Sequence, residues 1–140
     1  MKTSELRIGN YVSVHKGFEM MVTSIFTDEV YLDFIPPVVN EGDVWISNIK
    51  DVQPIELTED HLLKLGFKMS KGKWGNDFHI LEKDGFICMF TIEHWTDTKE
   101  DSKFKNHWHC KYQLNGNKLK YVHQLQNLYF ALTGEELTYK

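Results

Sequence analysis

The longest stretch of regular alternation in the chain runs over residues 103–114. Phe104, Trp108, Cys110, Tyr112 and Leu114 fall in one phase, and Lys103, Lys105, His107, His109, Lys111 and Gln113 in the other. Successive strand side chains point to opposite faces, so the spacing predicts a β-strand with one apolar face and one basic, polar face. Asn115-Gly116 just beyond it is a hairpin turn signal. Residues 78–82 and 86–93 predict two further strands, turned by Lys83-Asp84-Gly85, and the second is apolar on both faces, as a covered central strand would be. The polar run 96–103 reads as a surface loop. Helical spacing appears twice. Thr58 precedes Glu59, Asp60, Leu62, Leu63 and Leu65, with Gly66 in the position of a helix stop, which predicts a helix over 59–65. Val122, Leu125, Leu128, Tyr129 and Leu132 predict a second over 121–133, stopped by Gly134 and expected to lie on the 78–114 sheet.

The first 57 residues read as all-β. An extended run through Leu6, Ile8 and residues 11–14 is bent at Gly9-Asn10 and turned at His15-Lys16-Gly17. Residues 19–26 and 30–35 follow as strands, the latter with Val30, Leu32 and Phe34 in one phase. Pro36-Pro37 ends that ladder, residues 40–43 form a loop, and residues 44–46 and 52–57 are two more short strands. Closely spaced short strands predict a small SH3-like barrel. The fold expected is therefore α+β: an N-terminal SH3-like β-barrel over residues 1–57, packed on a C-terminal antiparallel sheet flanked by two helices over residues 58–140.

Composition narrows the function classes. A chain of 140 residues buries roughly 68% of its unfolded surface, so folding requires neither disulfide nor metal. The aromatic content of 14% fits a well-filled core, with an exposed aromatic surface as the sharper reading. Net charge is −4, which implies no general affinity for polyanions or membrane surfaces. The charge is uneven: residues 1–57 hold four Lys and Arg against nine Asp and Glu, whereas residues 103–123 hold five Lys and no carboxylate. The two cysteines, Cys88 and Cys110, form no CxxC pair. No apolar stretch approaches the length of a membrane span, and the charged N-terminus does not resemble a secretion signal, so a reducing cytoplasm is expected.

Three segments resemble those of a known group of proteins: Leu6-Arg7-Ile8-Gly9-Asn10, then Leu57-Thr58-Glu59 ahead of Leu65-Gly66-Phe67, and the long run from Tyr121 to Leu137, YVHQLQNLYFALTGEEL. They resemble a family of small uncharacterised proteins of Bacteroidetes-type bacteria and their phages. The resemblance implies a cytoplasmic protein linked to a phage or mobile element. It supplies neither an activity nor site residues.

Candidate chemistry is sparse. His107 and His109, two apart on a strand, have the spacing of paired metal ligands, with His79, Glu93 or His94 as a third, but Lys103, Lys105 and Lys111 in the same phase repel a cation. His109 and Cys110 are adjacent, so on a strand they cannot pair as base and nucleophile, and both cysteines read as small core residues. Glu93, His94, Asp97, Glu100 and Asp101 fall on or beside a wet loop. No phosphate-binding loop, nucleophile elbow or zinc-protease motif occurs. We therefore expect neither enzymatic activity, cofactor nor metal. The expected function is a binding or accessory role through contact with a host or phage protein, using Trp45, Trp74 and Trp95, with the acidic residues Asp28, Glu29, Asp33, Glu41 and Asp43 steering a basic partner. The alternative is a nucleic-acid-associated module using Lys103, Lys105, His107, His109 and Lys111. A metal-binding protein or enzyme stands third. No sequence feature fixes the oligomeric state.

Overall fold

The computed structural model describes residues 1–36, 45–69, 80–91, 107–112 and 115–140. The fold is α+β, with a four-stranded and a five-stranded antiparallel sheet and two α-helices. The chain divides into two compact units, one of residues 1–56 and 121–139, the other of residues 57–120 with Lys140.

The first unit is built on the meander β1 (Tyr11–Val14), β2 (Phe18–Ile25), β3 (Glu29–Phe34) and β4 (Trp45–Asn48). Its inner face holds Val12, Val14, Met20, Val22, Val30 and Leu32, joined by Leu6 and Val52 in one core. The simple alternation expected for β2 breaks at Thr23. The register shifts there, and the Thr23 hydroxyl donates to the Tyr31 carbonyl at 3.1 Å. One extra residue in a strand inverts the facing of everything after it. Ile25, opposite Val30, therefore packs against the core in the place alternation from Met20 would assign to Ser24. After β4 a 3-10 turn over Ile49–Asp51 returns the chain toward β1, where Ser13 and Gln53 exchange two backbone hydrogen bonds of 2.8 Å. Residues 52–57, expected as a strand, contribute only isolated bridges at Gln53 and Glu56.

Helix α2 (Val122–Thr133) belongs to this unit, together with β1, and not to the later strands on which the sequence pattern placed it. The reason is polar. Gln126, on its buried face, accepts from Tyr11 N–H at 2.8 Å and donates to the carbonyls of Leu137 at 3.0 Å and Gly9 at 3.2 Å. Beside it, buried Asn10 accepts from Arg7 N–H at 2.8 Å and donates to Asn127 at 2.9 Å. Gly9 reaches Gln126 by taking a positive φ of 93°. Arg7 lies over the Phe130 ring at 3.8 Å and pairs with Glu136 at 2.7 Å. Hydrophobic periodicity correctly predicts a helix here but carries no information about which sheet it meets.

The second unit holds α1 (Glu59–Lys64) and the sheet β5 (Lys68–Met69), β6 (Ile80–Lys83), β7 (Phe86–Thr91), β8 (His107–Tyr112) and β9 (Asn115–Leu119), hydrogen-bonded in chain order. Thr58 caps α1 in a capping box with His61. Leu62, Leu65, Phe67, Leu81, Phe86, Cys88, Trp108, Cys110 and Leu119 are buried. The Trp108 indole donates to the Leu57 carbonyl at 2.9 Å, satisfying the polar end of a buried ring. Asn115-Gly116 does not form the expected turn. Both residues sit in β9, opposite Tyr112 and Lys111.

Two outcomes follow from the joint around Gln126. Gln126→Leu keeps the volume but leaves three backbone groups unpaired, two buried and one part-buried, a buried one costing about 1–3 kcal/mol. Urea unfolding should show a loss of about 3–5 kcal/mol, against about 1 kcal/mol for Asn127→Ala at its more exposed edge. His123, also on the buried face of α2, has its pKa lowered, chiefly by burial and against the opposing pull of Glu5. The folded state thus resists protonation that the unfolded chain accepts near pH 6.5. The contribution of neutral His123 should be fully present well above that pH and be lost as pH falls through it toward the lower folded-state value. His123→Gln should flatten the slope in the same unfolding titration.

Candidate functional site

The inner face of the first sheet does not end where its core ends. Phe18 opens β2 opposite Val14, Phe34 closes β3 opposite Met20, and Trp45 opens β4 opposite Leu32. Each opposes a buried inward residue and so shares its face. In an antiparallel meander these termini all fall at the same end of the sheet. The tight turn His15–Gly17, with Gly17 at a φ of 80°, sets Phe18 directly against Val14. There the apolar face stays uncovered by the described residues: Phe18 is 65% exposed, Trp45 54% and Phe34 37%.

Together with Val14, His15 and Met20, these rings line a cleft of about 230 Å³. That is below the roughly 300–1,000 Å³ of small-molecule and cofactor sites, and suits one or two apolar side chains. A second, more polar groove of about 530 Å³ adjoins it, lined by Trp45 to Asn48 on one side and by His15, Lys50, Asp51 and Gln53 on the other. β4 stands at the edge of its sheet and pairs only with β3 among the described residues. Its four residues all line this groove.

The strongly shifted titratable groups of this unit lie elsewhere. The Tyr139 hydroxyl donates to Glu19 at 2.9 Å, and its backbone N–H donates to the Tyr11 hydroxyl at 3.1 Å, with ring centroids 4.5 Å apart. Burial raises both phenols, and the neighbouring Glu19 raises Tyr139 further. Groups pushed this way hold their protons and fasten the C-terminal tail to β1. No cluster of three or more His, Cys, Asp or Glu placed to hold a metal ion occurs among the described residues.

Of the residues singled out from sequence, Trp45 is in the cleft. Trp74, Trp95, Lys103 and Lys105 lie outside the described residues, as do His79, Glu93, His94, the 96–103 loop, Glu41 and Asp43. His107, His109 and Lys111 are in β8, with backbone partners Thr91, Met89 and Ile87, in the other unit from Trp45. Sequence reasoning missed Phe18 and Phe34 as site residues. Their signal was available: each is in phase with a buried stripe and lies within two residues of a chain breaker, Gly17 or Pro36, at a strand end. Residues 6–10 and the 121–137 run meet in the Gln126 joint and not in the cleft, whereas Leu57–Glu59 and Leu65–Phe67 lie in the other unit. Comparison with family models, with curated proteins and with solved structures finds no match.

An apolar surface kept for stability and one kept for contact respond differently to mutation. Phe18→Ser and Trp45→Ser should each shift the free energy of unfolding by no more than about 0.5 kcal/mol. Leu32→Ala, in the same stripe but buried, should cost about 2–5 kcal/mol. Equal losses in a urea titration would show that the rings belong to the core.

Proposed function

We propose that this chain is a non-enzymatic binding or accessory protein of phage or mobile-element origin, working in the cytoplasm by direct contact with a host or phage protein. The single observation that carries the contact is the exposed end of the first sheet, where Phe18, Phe34 and Trp45 surround an apolar cleft. Aromatic anchors beside a pocket are the usual centre of a protein interface. The origin rests on the resemblance of residues 6–10 and 121–137. No helix among the described residues is long and apolar enough to cross a membrane.

The first unit is read as an SH3-like barrel. What supports that reading is the meander order, the 3-10 turn after β4 and the return pairing of Gln53 with Ser13. In this reading the groove between β4 and the returning segment is the seam of the barrel.

Magnitudes indicate how a partner sits. Covering the exposed halves of three rings releases on the order of 4 kcal/mol. Association costs about 4–15 kcal/mol in lost freedom, so the rings alone do not hold a partner. Backbone pairing along the β4 edge supplies the remainder, which favours an extended segment carrying one or two apolar side chains for the cleft. Exposed Glu29 and Asp33 on the neighbouring strand, with Asp28 just before it, favour a basic surround.

Pull-down from a Bacteroidetes host lysate, using tagged full-length protein, tests the reading. The expected result is one protein enriched by the wild type and by Ile8→Ser, an exposed apolar control elsewhere, and lost with Trp45→Ser and Phe34→Ser. Capture indifferent to Trp45 and Phe34 would sink the cleft as the contact surface.

A further inference from the structure

The second sheet holds a feature that the binding surface does not use. Cys88 in β7 has two directly opposed residues, Leu81 on one side and Cys110 on the other. The only other cysteine of the chain thus occupies one of its two cross-strand positions. Both are fully buried and free, and as a directly opposed pair they share one face of the sheet. β7 and β8 are neighbours in the interior of the five-stranded sheet, so the pair is flanked by β6 on one side and β9 on the other.

We propose that Cys88 and Cys110 are a reversible dithiol–disulfide pair, a peroxide-responsive modification site that staples β7 to β8. Directly opposed residues in an antiparallel ladder have Cα atoms about 4.5–5.5 Å apart, inside the window of about 4.4–6.8 Å that a disulfide spans. Their Cβ atoms stand about 4.5–5.5 Å apart, against a mean near 3.8 Å in a disulfide. The strands must therefore draw together by about 0.7–1.7 Å, and a bond made under that load is readily reduced again.

The oxidant is a small peroxide. One cysteine sulfur attacks a peroxide oxygen; the O–O bond breaks, an S–O bond forms, and the departing hydroxide leaves as water with the thiol proton. The sulfur of the second cysteine then attacks the sulfenic sulfur; the S–S bond forms, the S–O bond breaks, and a second water carries off the second proton. Two thiols lose two electrons in all, and the peroxide gains them. A thiol such as reduced glutathione reverses the bond through a mixed disulfide. Burial, and then the neighbouring Cys88, push the Cys110 thiol up, so the resting pair is protonated and fills the core. Reaction waits on a local opening of the sheet, which makes the site slow and suits it to sustained oxidant exposure.

The alternative is that two small core residues happen to be neighbours, and an alkylation experiment separates the two. Folded full-length protein is treated with hydrogen peroxide, quenched in acid, denatured, alkylated and weighed. The expected product lacks two hydrogens, takes up no alkylating agent and maps to a Cys88–Cys110 linked peptide. Reduced glutathione restores both thiols. Cys88→Ala, which removes the partner without burying a new polar group, yields no internal bridge and leaves Cys110 as an oxidised single cysteine. An intermolecular dimer, sulfinic acid without a bridge, or a bridge that forms only in urea would each overturn the proposal.

Discussion

Gln126 is fully buried, and its amide is occupied by backbone groups from three stretches of chain: Tyr11 in the first strand, Gly9 before it and Leu137 in the tail. A buried amide with one missing partner costs more than a neutral hydrogen bond returns, so such a site tolerates only one arrangement of its neighbours. That constraint places α2. The helix lies far along the chain from β1, yet it completes the unit β1 belongs to. The C-terminal tail is then fixed by the same logic, through the Tyr139 contacts with Tyr11 and Glu19. Arg7, packed on Phe130 and paired with Glu136, closes the more exposed rim of the joint. Residues 6–10 and 121–137 therefore have a shared structural role in this joint.

With α2 and the tail holding the Tyr11 side of the first sheet, the other face supplies the hydrophobic core. That face is longer than the core it serves. Val12, Val14, Met20, Val22, Val30 and Leu32 are covered, whereas Phe18, Phe34 and Trp45 continue the same apolar phase into solvent. Large rings left out of water's way only in part are unfavourable for an isolated unit, and a patch of this kind is commonly a contact surface. The adjoining edge of β4 adds backbone groups capable of pairing. A shallow apolar cleft beside a strand edge that is unpaired among the described residues is suited to capture of an extended segment.

The second unit is organised differently. Its sheet is anchored by apolar packing around Leu62, Leu65, Phe67 and Trp108, with Trp108 tied to the Leu57 carbonyl. The two cysteines are fully buried, in register with buried Leu81. Small, weakly polar thiols pack there at little cost, and the same positions give them a chemistry that alanine would lack. Packing and reactivity need not compete, because one operates in the resting sheet and the other when it opens.

Local features of the chain determined local structure. Period-two alternation located β1 to β3 and the buried phase of β8, Thr58 and Gly66 bounded α1, and the spacing of Val122, Leu125 and Tyr129 specified α2, because each pattern reflects geometry within a few residues. Where that geometry was interrupted the pattern misled: the bulge at Thr23 inverted the end of β2, and Asn115-Gly116 entered a strand instead of the turn. Which sheet α2 joins, that the core stops short of Phe18, Phe34 and Trp45, and that Cys88 faces Cys110 were decided only by tertiary structure. These depend on strand register and on which buried polar groups find partners, and both bring together residues too far apart in sequence for any local pattern to record.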